Sequence, residues 1–168
     1  MKNILKKIST AMNIVTRKKE RPYTSAVILA AGLSARMQGI SKQMIELKRK
    51  SVIAHTLCAF QNCELIDEII IVTNEAEFPY YNEEFKNEYG ITKLSRVVLG
   101  GNTRARSAEN GFSAISKNAD FVAIHDGARC LITPEKISAV VKAAFNKGAA
   151  IAATKATDTM KKADEDGK

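Results

Sequence analysis

Neither G-x-G-x-x-G nor a glycine-lysine-serine loop follows Gly32 in this 168-residue chain, so the two familiar phosphate cradles are excluded by spelling. Three cysteines, Cys58, Cys63 and Cys130, form no C-x-x-C and leave an odd count. That excludes a disulfide framework and points to a reducing, cytoplasmic compartment. With His55 and His125 they lack the tight spacing of a zinc site. No apolar run approaches the ~20 residues of a membrane span, and Lys6, Lys7 and Asn13 interrupt what would be a signal peptide's apolar core. Linkers, repeats and low-complexity tracts are missing too, so the length reads as one domain large enough to bury a core.

What is present is an ordinary globular mixture, 45% apolar and 26% charged. The net charge of +8 raises nucleic acid as a partner, but residues 1–21 carry seven Lys/Arg against one Glu, leaving only +2 for the rest. A near-neutral body with 6% aromatics does not suit nucleic-acid binding. Residues 1–24 therefore form a basic N-terminal extension, and 25–168 the domain proper. The extension spaces Ile4, Ile8, Met12 and Val15 on one helical face among lysines. Two readings fit it, a helix for a membrane surface or partner and a loosely docked tail.

From Pro22 onward the pattern alternates. Apolar runs at Ala26–Ala31, Glu68–Thr73, Arg96–Leu99, Phe121–His125 and Ala149–Thr154 predict strands. Helical patterns lie between them at Val52–Asn62, Glu77–Tyr89, Thr103–Ser116 and Pro134–Lys147. Thr133 and Pro134 provide a cap and first turn, and Gly148 a stop. The alternation predicts an α/β, Rossmann-like, mainly parallel sheet flanked by helices on both faces. In such sheets ligands bind beyond the carboxyl ends of the strands.

Those ends are rich in chemistry. Gly32 lets backbone N–H groups approach an oxyanion, while Arg36 and Lys42 offer a planar fork and a point charge for phosphate. The stretch GGNTRARS (Gly100–Ser107) opens a helix at a strand end, where it can read a base edge or simply cap a turn; Arg104 and Arg106 in it reach phosphate or face water. In HDGAR (His125–Arg129), Asp126 suits a magnesium ion or sugar hydroxyl, Arg129 suits a phosphate or Asp126 itself, and His125 reads as structural. Asp158 and Thr159 mark a further strand end, or only a turn.

Four motifs in order, LAAGLSARM with Lys42, GGNTRARS, HDGAR and DTMK, resemble the 2-C-methyl-D-erythritol 4-phosphate cytidylyltransferases of the non-mevalonate isoprenoid pathway, which have a nucleotide-diphospho-sugar transferase fold. The resemblance runs from Ser25 to Lys168. It implies that Arg36 and Lys42 stabilise the transition state, and that Ala30, Ala31, Gly32, Gly101, Asn102 and Ser107 contact CTP. It also assigns Asp126 to ribose, magnesium and sugar phosphate, Arg129 to the sugar phosphate, and Thr159 to methylerythritol phosphate across a homodimer interface. The implied reaction is in-line attack of the sugar phosphate on the α-phosphorus of CTP, with pyrophosphate leaving and no covalent enzyme intermediate.

The departures are specific. Asn102 stands where many members have Asp, and Ser41, Ser51, Cys130 and Lys155 stand where proline is common. The chain given stops at Lys168, before the family's dimerisation arm and final substrate-binding segment, so dimerisation is in doubt and weak or absent turnover with retained CTP binding is expected. Two alternatives follow, a ribitol-5-phosphate cytidylyltransferase and a catalytically inactive CTP-binding fragment.

Overall fold

The computed structural model describes residues 21–32, 41–155 and 157. In chain order these form β1 (Thr24–Leu29), a ribbon of β2 (Glu46–Leu47) and β3 (Lys50–Ser51), α1 (Val52–Gln61) and β4 (Glu68–Thr73). A 3-10 turn (Phe78–Tyr80), α2 (Glu83–Tyr89), β5 (Leu94–Leu99), α3 (Arg104–Ser113), β6 (Phe121–Asp126) and α4 (Pro134–Lys147) follow. The four long strands make one parallel sheet in the order β5-β4-β1-β6. Helices cover both faces, as the alternation predicts.

β1 shows why its run is continuously apolar. Ala26, Ile28 and Ala30 join a core with Ile53, Leu57 and Phe60 of α1 and Ile137 and Val141 of α4. Val27 and Leu29 face the other way and, with Val72, pack against Ala108 of α3 and Ile115. A strand buried on both faces needs apolar side chains at every position. Ile28, Ile53, Leu57, Ile69 and Ile71 are fully buried, each contributing about 1.5–3 kcal/mol of transfer free energy. Exposed ion pairs such as Arg106–Glu109 contribute at most about 1 kcal/mol, so these aliphatic side chains hold the fold together.

α3 lies close to the sheet because Gly111 carries no side chain. A Cβ there would come within 2.4 Å of Val27 Cγ1 and 2.7 Å of Val72 Cγ2. At the amino ends of the strands, buried Glu68 accepts from Ser25 Oγ at 2.6 Å, Ser95 Oγ at 2.7 Å and Ser116 N–H at 2.9 Å. Burial alone would push this carboxyl up; the donors and nearby Arg96 outweigh it and hold it below the usual value. Arg21, inside the sequence-predicted extension, forks onto both oxygens of Asp67 at 2.8 Å, so the ordered body includes chain upstream of residue 25.

Two predicted elements differ in the structure, and one element was not predicted. The run Ala149–Thr154 is not a strand: it leaves α4 through Gly148 (φ 85) and lies exposed, Ile151 at 88%, without a ladder. Apolar residues favour extended backbone, but a strand also needs a neighbouring edge in register, and here none is engaged. Glu77–Tyr89 splits at Tyr81 into the 3-10 turn and α2, which Asn82 caps by accepting from Phe85 N–H at 2.9 Å. The β2–β3 ribbon carries no Asn-Gly signal; Lys48 and Arg49 take the positive-φ positions of its turn, at 49° and 67°.

Two stability measurements check this account. Gly111→Ala improves helix propensity yet drives a methyl into two stiff valines, and we expect a net loss of about 1–3 kcal/mol in denaturant unfolding. Because Glu68 is held below its ordinary 4.5, its contribution is complete above that pH and is lost as pH falls through the lowered value. Glu68→Gln should flatten this acid limb and cost about 1–2 kcal/mol at neutral pH; an unchanged limb would refute the assignment.

Candidate functional site

The strand order reverses beside β1: the chain moves from β1 to β4 and β5 on one side, then returns to β6 on the other. The crevice of such a sheet lies at that reversal, beyond the carboxyl ends of β1 and β6. Leu29 and Asp126 are register partners there, and Gly127 N–H donates to Leu29 O at 2.8 Å.

Ala30 is fully buried and donates its N–H to Val72 O at 2.7 Å. Gly32 is exposed, and an added Cβ would meet no atom of the described residues within 4 Å. The described residues therefore place no steric demand for glycine at that position. Gly100, in contrast, is pressed against its neighbours: a Cβ would fall 2.3 Å from Ala31 Cβ and 2.9 Å from Ser107 Oγ. Thus Ala31, the glycine pair and Ser107 adjoin.

Ser107 is buried, accepts from Gly101 N–H at 3.1 Å and donates to Thr103 O at 3.0 Å. Its hydroxyl braces the turn that opens α3, while Thr103 caps that helix by accepting from Arg106 N–H at 3.1 Å. Asn102 is exposed at the tip of the turn.

On the opposite side, the Asp126 carboxylate bridges two guanidiniums. Oδ1 accepts from Arg104 Nε at 3.2 Å and from its terminal nitrogen at 3.0 Å; Oδ2 accepts from Arg129 Nε at 3.0 Å. Burial would raise this carboxyl, but Arg104 first and then Arg129 hold it below its usual range. The His125 ring lies 5.2 Å from that of Phe60, its Nε2 contacts Arg129 O at 3.2 Å, and burial pushes its pKa down. These contacts make His125 part of the scaffold. Gly127 is needed for packing, since a Cβ would meet Ile53 Cδ1 at 2.8 Å, and Thr56 Oγ1 donates to its carbonyl at 2.7 Å.

Lys42 is half-buried where the loop returns, and the residue that fixes it was not evident from the sequence. Gln43 is 2% exposed; its Nε2 donates to Ala30 O at 3.1 Å, its backbone O accepts from Ile53 N–H at 3.0 Å, and Ser41 Oγ donates to its Oε1 at 3.3 Å. Gln43 therefore pins the segment carrying Lys42 to the end of β1. Arg36 and Thr159 lie outside the described residues.

A cavity of about 770 Å³ runs between β6 and α4, with Asp126, Arg129 and Arg104 in its wall. Ala30–Gly32, Lys42, Gly101, Asn102 and Ser107 do not line it. The β1 end is thus flanked by Gly100–Ser107 on one side and Asp126–Arg129 on the other; the latter opens into the cavity, and from the former only Arg104 reaches its wall.

This arrangement has counterparts. The profile of the family 2-C-methyl-D-erythritol 4-phosphate cytidylyltransferase matches residues 24–168. A protein of that name from Caldanaerobacter subterraneus subsp. tengcongensis is 41% identical over 143 residues, covering 84% of this chain and 63% of its own length. Another, from Alkaliphilus oremlandii, is 40% identical, covering 82% and 59%. The crystal structure of 4-diphosphocytidyl-2C-methyl-D-erythritol synthase from Anaerococcus prevotii superposes with a TM-score of 0.76 at 29% identity, covering 88% of this chain and 61% of that one. The chain spans about 60% of the length of these relatives. With that profile matched from the first residue of β1 onward, the chain belongs to the 2-C-methyl-D-erythritol 4-phosphate cytidylyltransferase family.

Proposed function

We propose that the chain provides the CTP site and catalytic cations of a cytidylyltransferase that uses 2-C-methyl-D-erythritol 4-phosphate. The supporting observation is the juxtaposition at one strand end: Gly100 packs on Ala31, Asp126 is in register with Leu29, and Gln43 ties the Lys42 segment to Ala30. A phosphate oxygen of the sugar phosphate attacks the α-phosphorus of CTP. That P–O bond forms as the bond to the bridging oxygen of the β-phosphate breaks, and pyrophosphate leaves. Gly32 gives the polyphosphate unobstructed backbone, and Lys42 with Arg36 offsets the negative charge that grows on the phosphoryl oxygens. Gly101 and Asn102 face the cytosine, with Ser107 shaping their turn. Arg129 receives the sugar phosphate, with Thr159 as a further contact.

Among the described residues no three His, Cys, Asp or Glu side chains converge as a metal site. Asp126 supplies one carboxylate, enough for a magnesium ion held mainly by nucleotide phosphates. Bound there, magnesium would neutralise polyphosphate charge. No helix of the described residues is long and apolar enough to cross a membrane, and three free cysteines suit a reducing cytoplasm.

A second reading is CTP binding without turnover. Incubation with CTP, magnesium and either methylerythritol phosphate or ribitol 5-phosphate, followed by pyrophosphate release, separates these readings. Release with methylerythritol phosphate alone, even if weak, supports the first reading. Release with ribitol 5-phosphate alone overturns the substrate, and CTP binding with no release leaves the second reading. Lys42→Ala should lower turnover about 100-fold or more with little change in melting temperature. Gln43→Ala should lower it roughly 10- to 100-fold, since about 1 Å of misplacement costs that much; full activity would sink its positioning role.

A further inference from the structure

Arg104 and Arg129 reach the same carboxylate by different routes. Arg129 is local: it sits three residues beyond Asp126 in the same turn, and its own N–H donates to Asp126 O at 3.0 Å. Arg104 comes from the first position of α3, the helix opened by the glycine pair, and joins that side of the β1 end to β6. Its side chain is 67% exposed, whereas that of Asp126 is 33% exposed. An ion pair so open to solvent is weak and cheaply exchanged. A guanidinium also matches phosphate oxygens as well as carboxylate, and offers donors beyond those on Oδ1.

The other cation of this turn is committed elsewhere. Arg106, two residues on, pairs with Glu109 at 2.8 Å and packs its stem against Gly101. Arg104 is therefore the cation of α3 that stands between the glycine turn and the acidic side of the crevice.

We propose that Arg104 is shared between two acceptors, Asp126 Oδ1 and the polyphosphate of the nucleotide, so that engaging one releases the other. This rests on the CTP reading above. Asp126 then remains aligned by Arg129 through Oδ2 while Oδ1 becomes available to the ligand. Arg104 is thus a positioning residue for Asp126 and a binding residue for the phosphates, in alternation.

The exchange makes a prediction of unusual sign. CTP binding is measured by titration calorimetry in EDTA for the wild-type chain, Arg104→Gln, Asp126→Asn and the double variant, with thermal melts to confirm folding. Arg104→Gln should weaken binding roughly five- to tenfold. Asp126→Asn should tighten it roughly two- to fivefold by releasing Arg104, and that gain should vanish in the double variant. Arg104→Lys, which keeps the charge without the fork, should recover part of the loss.

The same tightening by Asp126→Asn in both backgrounds would mean simple relief of charge repulsion and would overturn the exchange. So would unchanged affinity in Arg104→Gln. Failure of the wild-type chain to bind CTP overturns the nucleotide reading and the exchange together, whereas wild-type binding without coupling overturns the exchange alone.

Discussion

Everything in this molecule depends on β1 being hydrogen-bonded on both edges and buried on both faces. Its pairing with β4 sets where Ala31 meets Gly100, and its pairing with β6 sets where Leu29 meets Asp126. Neither contact is adjustable on its own, because a one-residue slip of β1 would exchange Ala26 and Ile28 with Val27 and Leu29 between two dissimilar cores. Burial of about half a dozen aliphatic side chains therefore fixes distances between polar groups that contribute little to stability themselves.

The two ends of the sheet treat charge in opposite ways. At the amino ends, Glu68 is enclosed and satisfied by serines from three segments. At the carboxyl ends, Asp126 meets arginines whose guanidiniums stay largely in solvent. The enclosed carboxylate is committed to the fold, and the solvated cluster retains donors for another acceptor. A parallel sheet favours this division, since every strand brings its carboxyl end to the same rim.

Much of this was legible in the residues. Short continuous apolar runs gave the strands and the helical patterns between them the helices, and the caps at Ser51, Thr103 and Thr133 lie where short hydroxyl side chains precede helical patterns. The order of motif-bearing ends was likewise readable, because topology rules turn chain order into spatial order. Gln43 was not, since a polar residue in a loop looks solvated until its carbonyl partner is known. Nor was the role of Ser107 in bracing the turn, where the same hydroxyl would serve a ligand equally well. Ala149–Thr154 failed for a related reason: side-chain pattern specifies backbone preference, but pairing depends on another segment.

The edge strand β6 has a consequence for the behaviour of the protein in bulk. Among the described residues it pairs only with β1, and Ile124, Leu131 and Ile151 around it are 50%, 82% and 88% exposed. An edge bordered by aliphatic side chains is a template for a further strand, of the same protein or of a second polypeptide. Against that attraction stands the net charge of +8, which keeps copies apart over roughly a Debye length, about 10 Å at 0.1 M salt. Association through this edge is thus opposed by a positive charge concentrated in residues 1–21, and added electrolyte weakens only that opposition.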